Sequence, residues 1–301
     1  MPSARQGTIR LFRYSGIDVF LHWSWFLVAA FELSNRKGSY SSQGWNVLEY
    51  LALFGIVLLH EFGHALACRQ VGGTADQIVL WPLGGVAYVN PPPRPGATLW
   101  SIAAGPLVNV ALVPVLYALS RSIASTESDL HALLYSIWVI NLVLLTFNLL
   151  PVYPLDGGQI FRSLLWFVLG RARSLMVATV VGFLGAFGFI ALAWWMKSVW
   201  MGFISIYMLM NSWGGWQHAR ALSRMEKLPR RHDFACPHCK ESPPIGELWQ
   251  CSRCQHAFDT FQSQAVCPYC GTQFPATNCF YCGRQSPIHE WVSPVLVPPR
   301  M

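Results

Sequence analysis

The stretch His60-Glu61-Phe62-Gly63-His64 closes an apolar run that begins at Trp45. An α-helix turns once about every 3.6 residues, so His60 and His64 lie on one face, one turn apart. Two imidazoles in that arrangement can share a zinc ion. Glu61 then lies beside the metal, where a carboxylate can take a proton from zinc-activated water and pass it to a leaving amine. The pattern predicts a hydrolytic zinc site on an apolar helix.

The composition of the chain is that of a membrane protein. Of its 301 residues, 53% are apolar and 12% are charged, whereas about 25% of the residues of a soluble domain are charged. Six apolar segments are long enough to cross about 30 Å of hydrocarbon. They are residues 17–33, 45–67, 97–119, 130–150, 174–196 and 199–216. We therefore predict an all-α polytopic membrane protein of about six transmembrane helices, the first being an uncleaved anchor.

The distribution of Lys and Arg predicts the orientation of these spans. With both termini in the cytoplasm, thirteen Lys and Arg residues flank the spans on the cytoplasmic side and four on the outer side, as the positive-inside rule requires. The net charge of +7 is therefore mostly an orientation signal. We predict a multi-pass protein of the cell membrane with cytoplasmic N- and C-termini. Nucleic-acid attraction would need a basic patch on a soluble face, and residues 220–231 are the only candidate.

Asp156 is the predicted third zinc ligand, since a catalytic zinc usually has three protein ligands. It follows the fourth span in Pro154-Leu155-Asp156-Gly157-Gly158, where Pro and Gly end the helix and let the carboxylate turn inward. In the predicted topology the ends of spans two and four share one membrane face. An ionisable residue at this depth is costly unless it pairs or ligates. The alternative is that Asp156 caps a helix beginning at Gly157.

Asn148 and Cys68 are two further side chains with two interpretations each. Asn148 precedes Asp156 by eight residues and could bind a substrate carbonyl or a developing oxyanion. Its alternative is an interhelical hydrogen bond, which also suits Asn109 and Asn141. Cys68 follows His64 by four residues and is the competing candidate for the third zinc ligand. Along a helix, however, Cys68 lies about 12 Å from His60, too far for one tetrahedral ion to contact all three side chains. We interpret Cys68 as a packed thiol.

Residues 78–89 are apolar but too short to cross the membrane. We interpret them as a re-entrant or interfacial β-hairpin that turns at Gly84-Gly85. A scissile bond in a helix must be extended before water can reach it, and a hairpin edge could pair with such an unwound substrate segment. The alternative is packing against the core alone.

The composition changes after Arg231, where eight of the nine cysteines form four C-x-x-C pairs. The pairs are Cys236/Cys239, Cys251/Cys254, Cys267/Cys270 and Cys279/Cys282. Two such pairs complete a closed tetrahedral zinc site, so we expect two structural zinc ions. Pairing the first pair with the second and the third with the fourth gives two zinc-ribbon-like modules, and an interleaved cross-brace is also possible. A disulfide alternative needs an oxidising compartment.

We predict three regions. Residues 1–231 form a transmembrane domain, residues 232–290 form a cytoplasmic double zinc-binding domain, and residues 291–301 form a disordered tail. Few Lys or Arg accompany the aromatic residues between the cysteine pairs. The zinc-binding domain is thus expected to contact a protein partner or the substrate rather than nucleic acid.

These residues together resemble the site-2 protease family of intramembrane zinc metalloproteases over roughly residues 10–220. The matching motifs are His60-Glu61-Phe62-Gly63-His64, Pro82-Leu83-Gly84-Gly85-Val86-Ala87, Gly105-Pro106-Leu107-Val108-Asn109, and Asn148 through Asp156-Gly157-Gly158. The resemblance implies that His60, His64 and Asp156 hold zinc, that Glu61 is the general base, and that Asn148 positions substrate. It also implies a transmembrane protein as substrate. Residues 1–231 contain no insertion large enough for the PDZ domain of many relatives.

The expected function is thus that of a zinc metalloendopeptidase that acts on a transmembrane segment within the bilayer, with one catalytic and two structural zinc ions. The alternative is a non-catalytic membrane receptor or adaptor that recruits partners through its zinc-binding tail. A receptor has no need of Glu61. A metal transporter would require polar residues along several spans, and these spans are nearly free of them apart from the motifs.

Overall fold

A computed structural model describes residues 7–35, 40–81, 84–123 and 128–291, and the chain divides into two compact units, residues 1–219 and 220–301. The first unit is mostly helical. Its helices are α1 (Ser24–Asn35), α2 (Gln43–Gln70), α3 (Pro95–Ser122), α4 (Asp129–Leu149), α5 (Asp156–Leu169), α6 (Arg171–Met196) and α7 (Val199–Glu226), of which α7 continues into the second unit.

Four of these helices are long and apolar enough to cross a membrane: α2, α3, α4 and α6. They contain four of the six apolar segments identified in the sequence. The segment 199–216 lies in α7, which does not reach the same mean hydropathy. A total of six spans therefore remains a prediction.

The described part of the first unit is mostly helical, as predicted, but it contains a four-stranded sheet where the sequence predicted one hairpin. Its strands are β1 (Thr8–Tyr14), β2 (Ile17–His22), β3 (Thr74–Trp81) and β4 (Gly84–Asn90), in the order β1-β2-β3-β4. Strand β2 runs parallel to β3, and the other two pairs are antiparallel. The predicted first span, residues 17–33, is not a single helix. Residues 17–22 form β2, and α1 has only twelve residues. Hydropathy merges a buried strand with an adjoining apolar helix.

The predicted hairpin at 78–89 is present as the antiparallel pair β3 and β4, in which Trp81 faces Gly84. Pro82 and Leu83 lie outside the described residues. Strand β4 is at the end of the strand order, so one of its edges has no neighbouring strand among the described residues. Re-entry of this hairpin into the membrane remains a prediction.

The sheet and α2 share a core that fixes where the metal-binding motif lies. Buried Ile78 and Leu80 of β3 pack with Ala65 and Cys68 near the end of α2. Helix α3 approaches the other side of α2 so closely that a Cβ on Gly63 would lie 2.7 Å from the carbonyl oxygen of Ala104. The last turns of α2 are therefore held between β3–β4 and α3.

The second unit contains two short hairpins and an aromatic core. The hairpins are β5 (Trp249–Gln250) with β6 (Ala257–Phe258) and β7 (Thr277–Asn278) with β8 (Gln285–Ser286), and a 3₁₀-helix covers Ile288–Trp291. Trp249, Phe261 and Trp291 pack together in its centre. The domain boundary at 231/232 remains a prediction. Trp291 is buried, and the rest of the predicted disordered tail lies outside the described residues.

An ion pair ties the start of this unit to its core. Arg231 donates a 2.6 Å hydrogen bond to Asp259, which also accepts the Gly246 N–H. Burial alone would raise the pKa of Asp259, but these hydrogen bonds hold the pKa below its ordinary value.

Candidate functional site

The histidines of α2 and the first residue of α5 meet at one point. The Nε2 atoms of His60 and His64 lie 3.0 Å apart, and Oδ2 of Asp156 lies 3.0 Å and 3.3 Å from them. Zinc bonds to nitrogen and oxygen of about 2.0–2.2 Å place tetrahedral ligand atoms about 3.3 Å or slightly more from one another. The three side chains thus fit one zinc ion with a fourth position left for another ligand.

The hydrogen bonds on the far side of each ring determine where its lone pair points. Nδ1 of His60 lies 2.5 Å from Oδ1 of Asn109, and Nδ1 of His64 lies 2.9 Å from the carbonyl oxygen of Ser101. Both partners accept, so each Nδ1 carries the hydrogen. In the neutral rings, both Nε2 lone pairs then face each other and the Asp156 carboxylate. A cation at that point relieves this repulsion.

Hydrogen bonds with Asn141 fix the orientation of the Asn109 side chain. Nδ2 of Asn141 in α4 donates to the carbonyl oxygen of Asn109 at 3.0 Å, and Asn109 Nδ2 donates to Oδ1 of Asn141 at 2.8 Å. A main-chain carbonyl can only accept a hydrogen bond, so Nδ2 of Asn141 must be the donor to Asn109. This fixes Oδ1 of Asn141 as the acceptor from Asn109 Nδ2, and Oδ1 of Asn109 as the acceptor from His60. Asn109 and Asn141 are fully buried. The interhelical hydrogen bond expected for this pair is confirmed, and it also orients His60.

Replacement of Asn141 by Leu is therefore expected to weaken zinc binding at the His60 site by about 10- to 100-fold, as loss of an outer hydrogen-bonding partner typically does. Asn109 would be free to present its amino group to His60, which favours the wrong tautomer. Zinc affinity measured by competition with a chelator tests this. Asn46→Leu is the matched control, since Asn46 is also buried and its Oδ1 has no partner among the described residues. Equal losses in both variants would contradict the prediction.

Glu61 lies against strand β4. Its Oε2 accepts the N–H of Ala87 at 2.8 Å, and a Cβ on Gly85 would lie within 2.6 Å of the Glu61 carboxyl group. Only glycine at position 85 leaves room for this carboxylate. Glu61 is buried and is not one of the three metal-facing groups. It is thus placed beside the cluster by a contact with the hairpin.

A cavity of about 470 Å³ contains the cluster. Glu61, Asn148 and Asp156 line it, together with residues 84–87 of the hairpin. Asn148 therefore faces the same space as the metal-facing groups. A larger apolar groove of about 920 Å³ shares Gly84, Gly85, Val86 and Tyr207 with this cavity, and its other walls come from α1, the hairpin β3–β4 and α7.

Two glycines make the cluster sterically possible. A Cβ on Gly105 of α3 would lie 2.3 Å from Nε2 of His64. A Cβ on Gly157 would lie 2.3 Å from the carbonyl oxygen of Leu149, so the chain can double back from α4 into α5 only with glycine there. Helix α5 begins at Asp156 and its N-cap residue is Leu155, so Asp156 does not occupy the capping position, and its Oδ2 lies by the two histidines instead. The cap alternative for Asp156 is therefore not observed.

Cys68 and two glycines of α6 lie outside the cluster and serve packing. The Cys68 thiol lies 3.5 Å from the carbonyl oxygen of Thr74, as expected of a packed thiol. Gly182 and Gly185 of α6 accommodate Tyr153 and Val152, so these two glycines serve packing within the chain.

The eight tail cysteines form two groups of four. One contains Cys236, Cys239, Cys279 and Cys282, and the other contains Cys251, Cys254, Cys267 and Cys270. Sulfur–sulfur distances are 3.7 Å in the first group and 3.6 Å in the second. A tetrahedral site with zinc–sulfur bonds of about 2.3 Å gives about 3.8 Å. Both groups fit a zinc ion.

Neither of the two pairings considered from the sequence, sequential or cross-braced, is found among the described residues. The first C-x-x-C pair joins the fourth and the second joins the third, so one site is nested inside the other. The physical reason lies in the aromatic core, since Trp249, just before the second pair, packs on Phe280 between the cysteines of the fourth. The outer pairs close around that core.

All four cysteine pairs adopt the same local turn. In each turn, the N–H of the residue after the second cysteine bonds to the carbonyl of the first cysteine. That residue has a positive φ in every case: Lys240, Gln255, Gly271 and Gly283. This left-handed residue turns both thiols toward one point.

The nested pairing predicts the zinc content of cysteine variants. Cys236→Ser and Cys282→Ser should each remove the outer zinc, and the double variant should remove nothing more, because both cysteines serve one site. Native mass spectrometry of the full chain should show three zinc ions in wild type and two in each of these variants. A double variant that loses two zinc ions would contradict the nested arrangement. Cys251→Ser with Cys236→Ser, which touches both sites, is the control expected to retain one.

Sequence reasoning missed three contacts of this site. It did not identify Asn109 and Asn141 as supports of His60, Gly105 as the space for His64, or Ala87 as the donor to Glu61. A signal was available for the first two, since buried amides and a glycine in apolar spans have few roles apart from close packing and hydrogen bonding. The Ala87 contact uses a backbone N–H and has no signal in the side chains.

Comparison with known proteins gives concordant matches to the first unit. The model of peptidase family M50 matches residues 49–126 and 120–192. A zinc metalloprotease of Methanocaldococcus jannaschii is 37% identical over 177 residues, which are 58% of this chain and 50% of that protein. The Rip3 protein of Mycobacterium tuberculosis is 31% identical over 218 residues, covering 65% of this chain and 55% of Rip3. The chain thus spans about half the length of the curated relatives it matches.

Among solved structures, the site-2 protease from Methanocaldococcus jannaschii has a similar fold. The TM-score is 0.52 with 27% sequence identity, and the match covers 69% of this chain and 95% of that chain. The family match includes His60, Glu61, His64 and Asp156 and does not reach the cysteine-rich tail.

Proposed function

Because this chain belongs to the M50, or site-2 protease, family of metallopeptidases, we propose that it is a zinc metalloendopeptidase that hydrolyses a peptide bond within or next to a transmembrane segment of a substrate protein. The observation that carries the proposal is the triangle of donor atoms, with edges of 3.0 to 3.3 Å, that shares one cavity with the Glu61 carboxylate. Zinc bound to His60, His64 and Asp156 would lower the pKa of a water ligand and polarise a carbonyl.

The residues of this chain then have separate roles. Glu61 takes a proton from the attacking water and gives it to the departing amine. The Asn148 amide donates to the substrate carbonyl as its oxygen becomes negative. Asn109 and Ser101 keep the two histidines in the tautomer that offers Nε2. Because the cluster is buried, bulk water does not compete with the attacking water for the Glu61 carboxylate.

The apolar groove beside the cavity supports a transmembrane substrate. Its walls carry Leu27 and Val28 of α1 and Phe203 and Ile206 of α7, side chains that suit an apolar helix. The groove and the cavity share residues 84–86. A substrate segment can thus leave the groove along the hairpin and reach the cluster without crossing water.

Strand β4 is the proposed binding surface for the unwound substrate segment. The Ala87 N–H points toward Glu61 and away from β3, so its neighbours at 85 and 89 present backbone groups on the same free edge. Pairing along this edge would hold the segment extended and bring one of its carbonyl groups beside Glu61. Glu61 must release Ala87 as the substrate strand binds.

The remaining assignments complete the proposal. The protein is a multi-pass membrane protein in which α2, α3, α4 and α6 cross the bilayer and both termini lie in the cytoplasm, its transmembrane domain being residues 1–231. Residues 232–290 hold two structural zinc ions and recruit a protein partner or control substrate access. The substrate protein and the lipid bilayer are its main partners.

Cleavage can be tested with the purified full chain in liposomes that also contain a single-span candidate substrate. The expected products are two fragments whose masses place the cut in or next to the span. A zinc chelator should stop the reaction, and added zinc should restore it. Failure of every candidate span to be cut, with all three zinc ions bound, would oppose the proposal and favour a receptor or adaptor.

A further inference from the structure

Two arginines meet on one aromatic ring where α5 is followed by α6. Arg162 lies on α5, and Arg171 begins α6. Their guanidinium carbons lie 5.9 Å and 5.6 Å from the centroid of the Trp166 ring. Trp166 itself is buried. Two like charges are therefore held close to one another by stacking on a shared partner.

Arg162 has unmet hydrogen-bonding capacity. Its Nε is buried and makes no hydrogen bond among the described residues. The charged and titratable groups that act on Arg162 are the Tyr153 phenol and the cation of Arg171, and neither is a carboxylate. A buried donor of a cation without an acceptor is costly. An anion beside Arg162 would remove that cost.

The surroundings of this pair are also positive. His218 of α7 lies near both arginines, and burial, Arg171 and Arg162 together lower the pKa of His218. The first turn of α6 contains no acidic residue, and the positive end of its helix dipole points to the same place. The two guanidinium groups and the N-terminus of α6 therefore favour a negative ligand.

Helix α5 next to the arginines has an exposed apolar face. Leu164, Phe167 and Val168 are 51%, 60% and 84% exposed. A helix with cations on one face and large apolar side chains on the other suits the boundary between headgroups and acyl chains. A ligand with a phosphate group and acyl chains matches both faces, whereas free phosphate matches only the first.

We propose that Arg162 and Arg171 form a binding site for a phosphate group, supplied by an anionic phospholipid whose acyl chains cover Phe167 and Val168. Guanidinium groups bind phosphate oxygens through paired hydrogen bonds. Basic pockets between membrane helices bind such headgroups in other proteins. The site is separate from the zinc cluster, and its test requires no proteolysis.

Native mass spectrometry of the full-length protein tests the site. Wild type is titrated with phosphatidylglycerol and, separately, with phosphatidylcholine. We expect a bound phosphatidylglycerol that survives at concentrations where phosphatidylcholine does not bind. Arg162→Gln with Arg171→Gln should weaken phosphatidylglycerol binding by roughly 25-fold, about fivefold for each arginine. Arg121→Gln, which removes one exposed charge in the last turn of α3, is the matched control and should bind as wild type does.

Additional arms identify the source of the phosphate and protect the test against misfolding. Displacement of the lipid by millimolar inorganic phosphate would assign the same site to a soluble phosphate. Resistance to displacement would assign it to lipid. Arg162→Lys keeps the charge and should lose less affinity than Arg162→Gln, and unchanged zinc content shows that each variant is folded. Equal binding of both lipids by wild type, or unchanged binding in the double variant, would overturn the proposal.

Discussion

Glu61→Gln is expected to reduce cleavage by about 10²- to 10⁴-fold, the range that a positioned acid–base group contributes. The glutamine side chain can still accept the Ala87 N–H through its amide oxygen, so it keeps its place against β4. It cannot take a proton from water at neutral pH. Since Glu61 is not among the three metal-facing groups, zinc content should remain that of wild type. Fragment yield and zinc content measured on one preparation test both statements.

The control for this variant is Glu49→Gln. Glu49 is a second buried carboxylate of α2, about 18 Å along the helix from Glu61. Its hydrogen-bonding partner Ser136 can donate to an amide oxygen as well as to a carboxylate. We expect Glu49→Gln to cleave within a few-fold of wild type. If the protein were a receptor, neither substitution would change the yield of fragments. Full cleavage activity of Glu61→Gln would eliminate the proposed mechanism.

The histidine pair was predictable because both residues lie on one helix, and helix geometry alone places them together. Positions 60 and 64 share a face by helical periodicity alone, whatever surrounds them. Asp156 required more, since it lies on another helix almost a hundred residues away. Its prediction depended on bringing the ends of α2 and α4 to one membrane face, and the structure brings its carboxylate to 3.0 Å from His60. The roles of these residues in catalysis remain predictions.

The sheet was less predictable than the helices. Residues 17–22 are apolar and continue into the apolar α1, so a hydropathy window sees one segment. The strand becomes visible only through its partner β3, which follows 28 residues of α2. A pairing at that sequence distance depends on tertiary packing, here the core between the sheet and α2.

The cysteine pairing shows a different limit. Each C-x-x-C pair forms the same turn, so local sequence identifies four equivalent half-sites and gives no preference among partners. The nested choice depends on packing around Phe261 and Trp249, which are in contact in the folded unit. The number of cysteine pairs therefore predicted two groups of four cysteines. Tertiary packing determines which pairs form each group.

Gly105→Ala is expected to remove the catalytic zinc and to reduce cleavage by more than about 100-fold. The new Cβ would lie 2.3 Å from Nε2 and 2.4 Å from Cε1 of His64, far inside contact distance. The imidazole is rigid, and its other side is held by the hydrogen bond from Nδ1 to the carbonyl of Ser101. The ring must therefore turn out of the cluster or α3 must move away. Either change separates Nε2 from His60 and Asp156, and the count of bound zinc should fall from three to two.

Gly55→Ala is the matched control for this substitution, because it adds the same methyl group to a helix of the same unit where no atom lies within 4 Å of the new Cβ. It should keep full activity and raise the free energy of unfolding by up to about 1 kcal/mol, the difference in helix propensity between Gly and Ala. The same propensity gain applies at position 105, so a loss there must come from the contact with His64. A Gly105→Ala protein that retains three zinc ions and cleaves normally would show that His64 does not need this space.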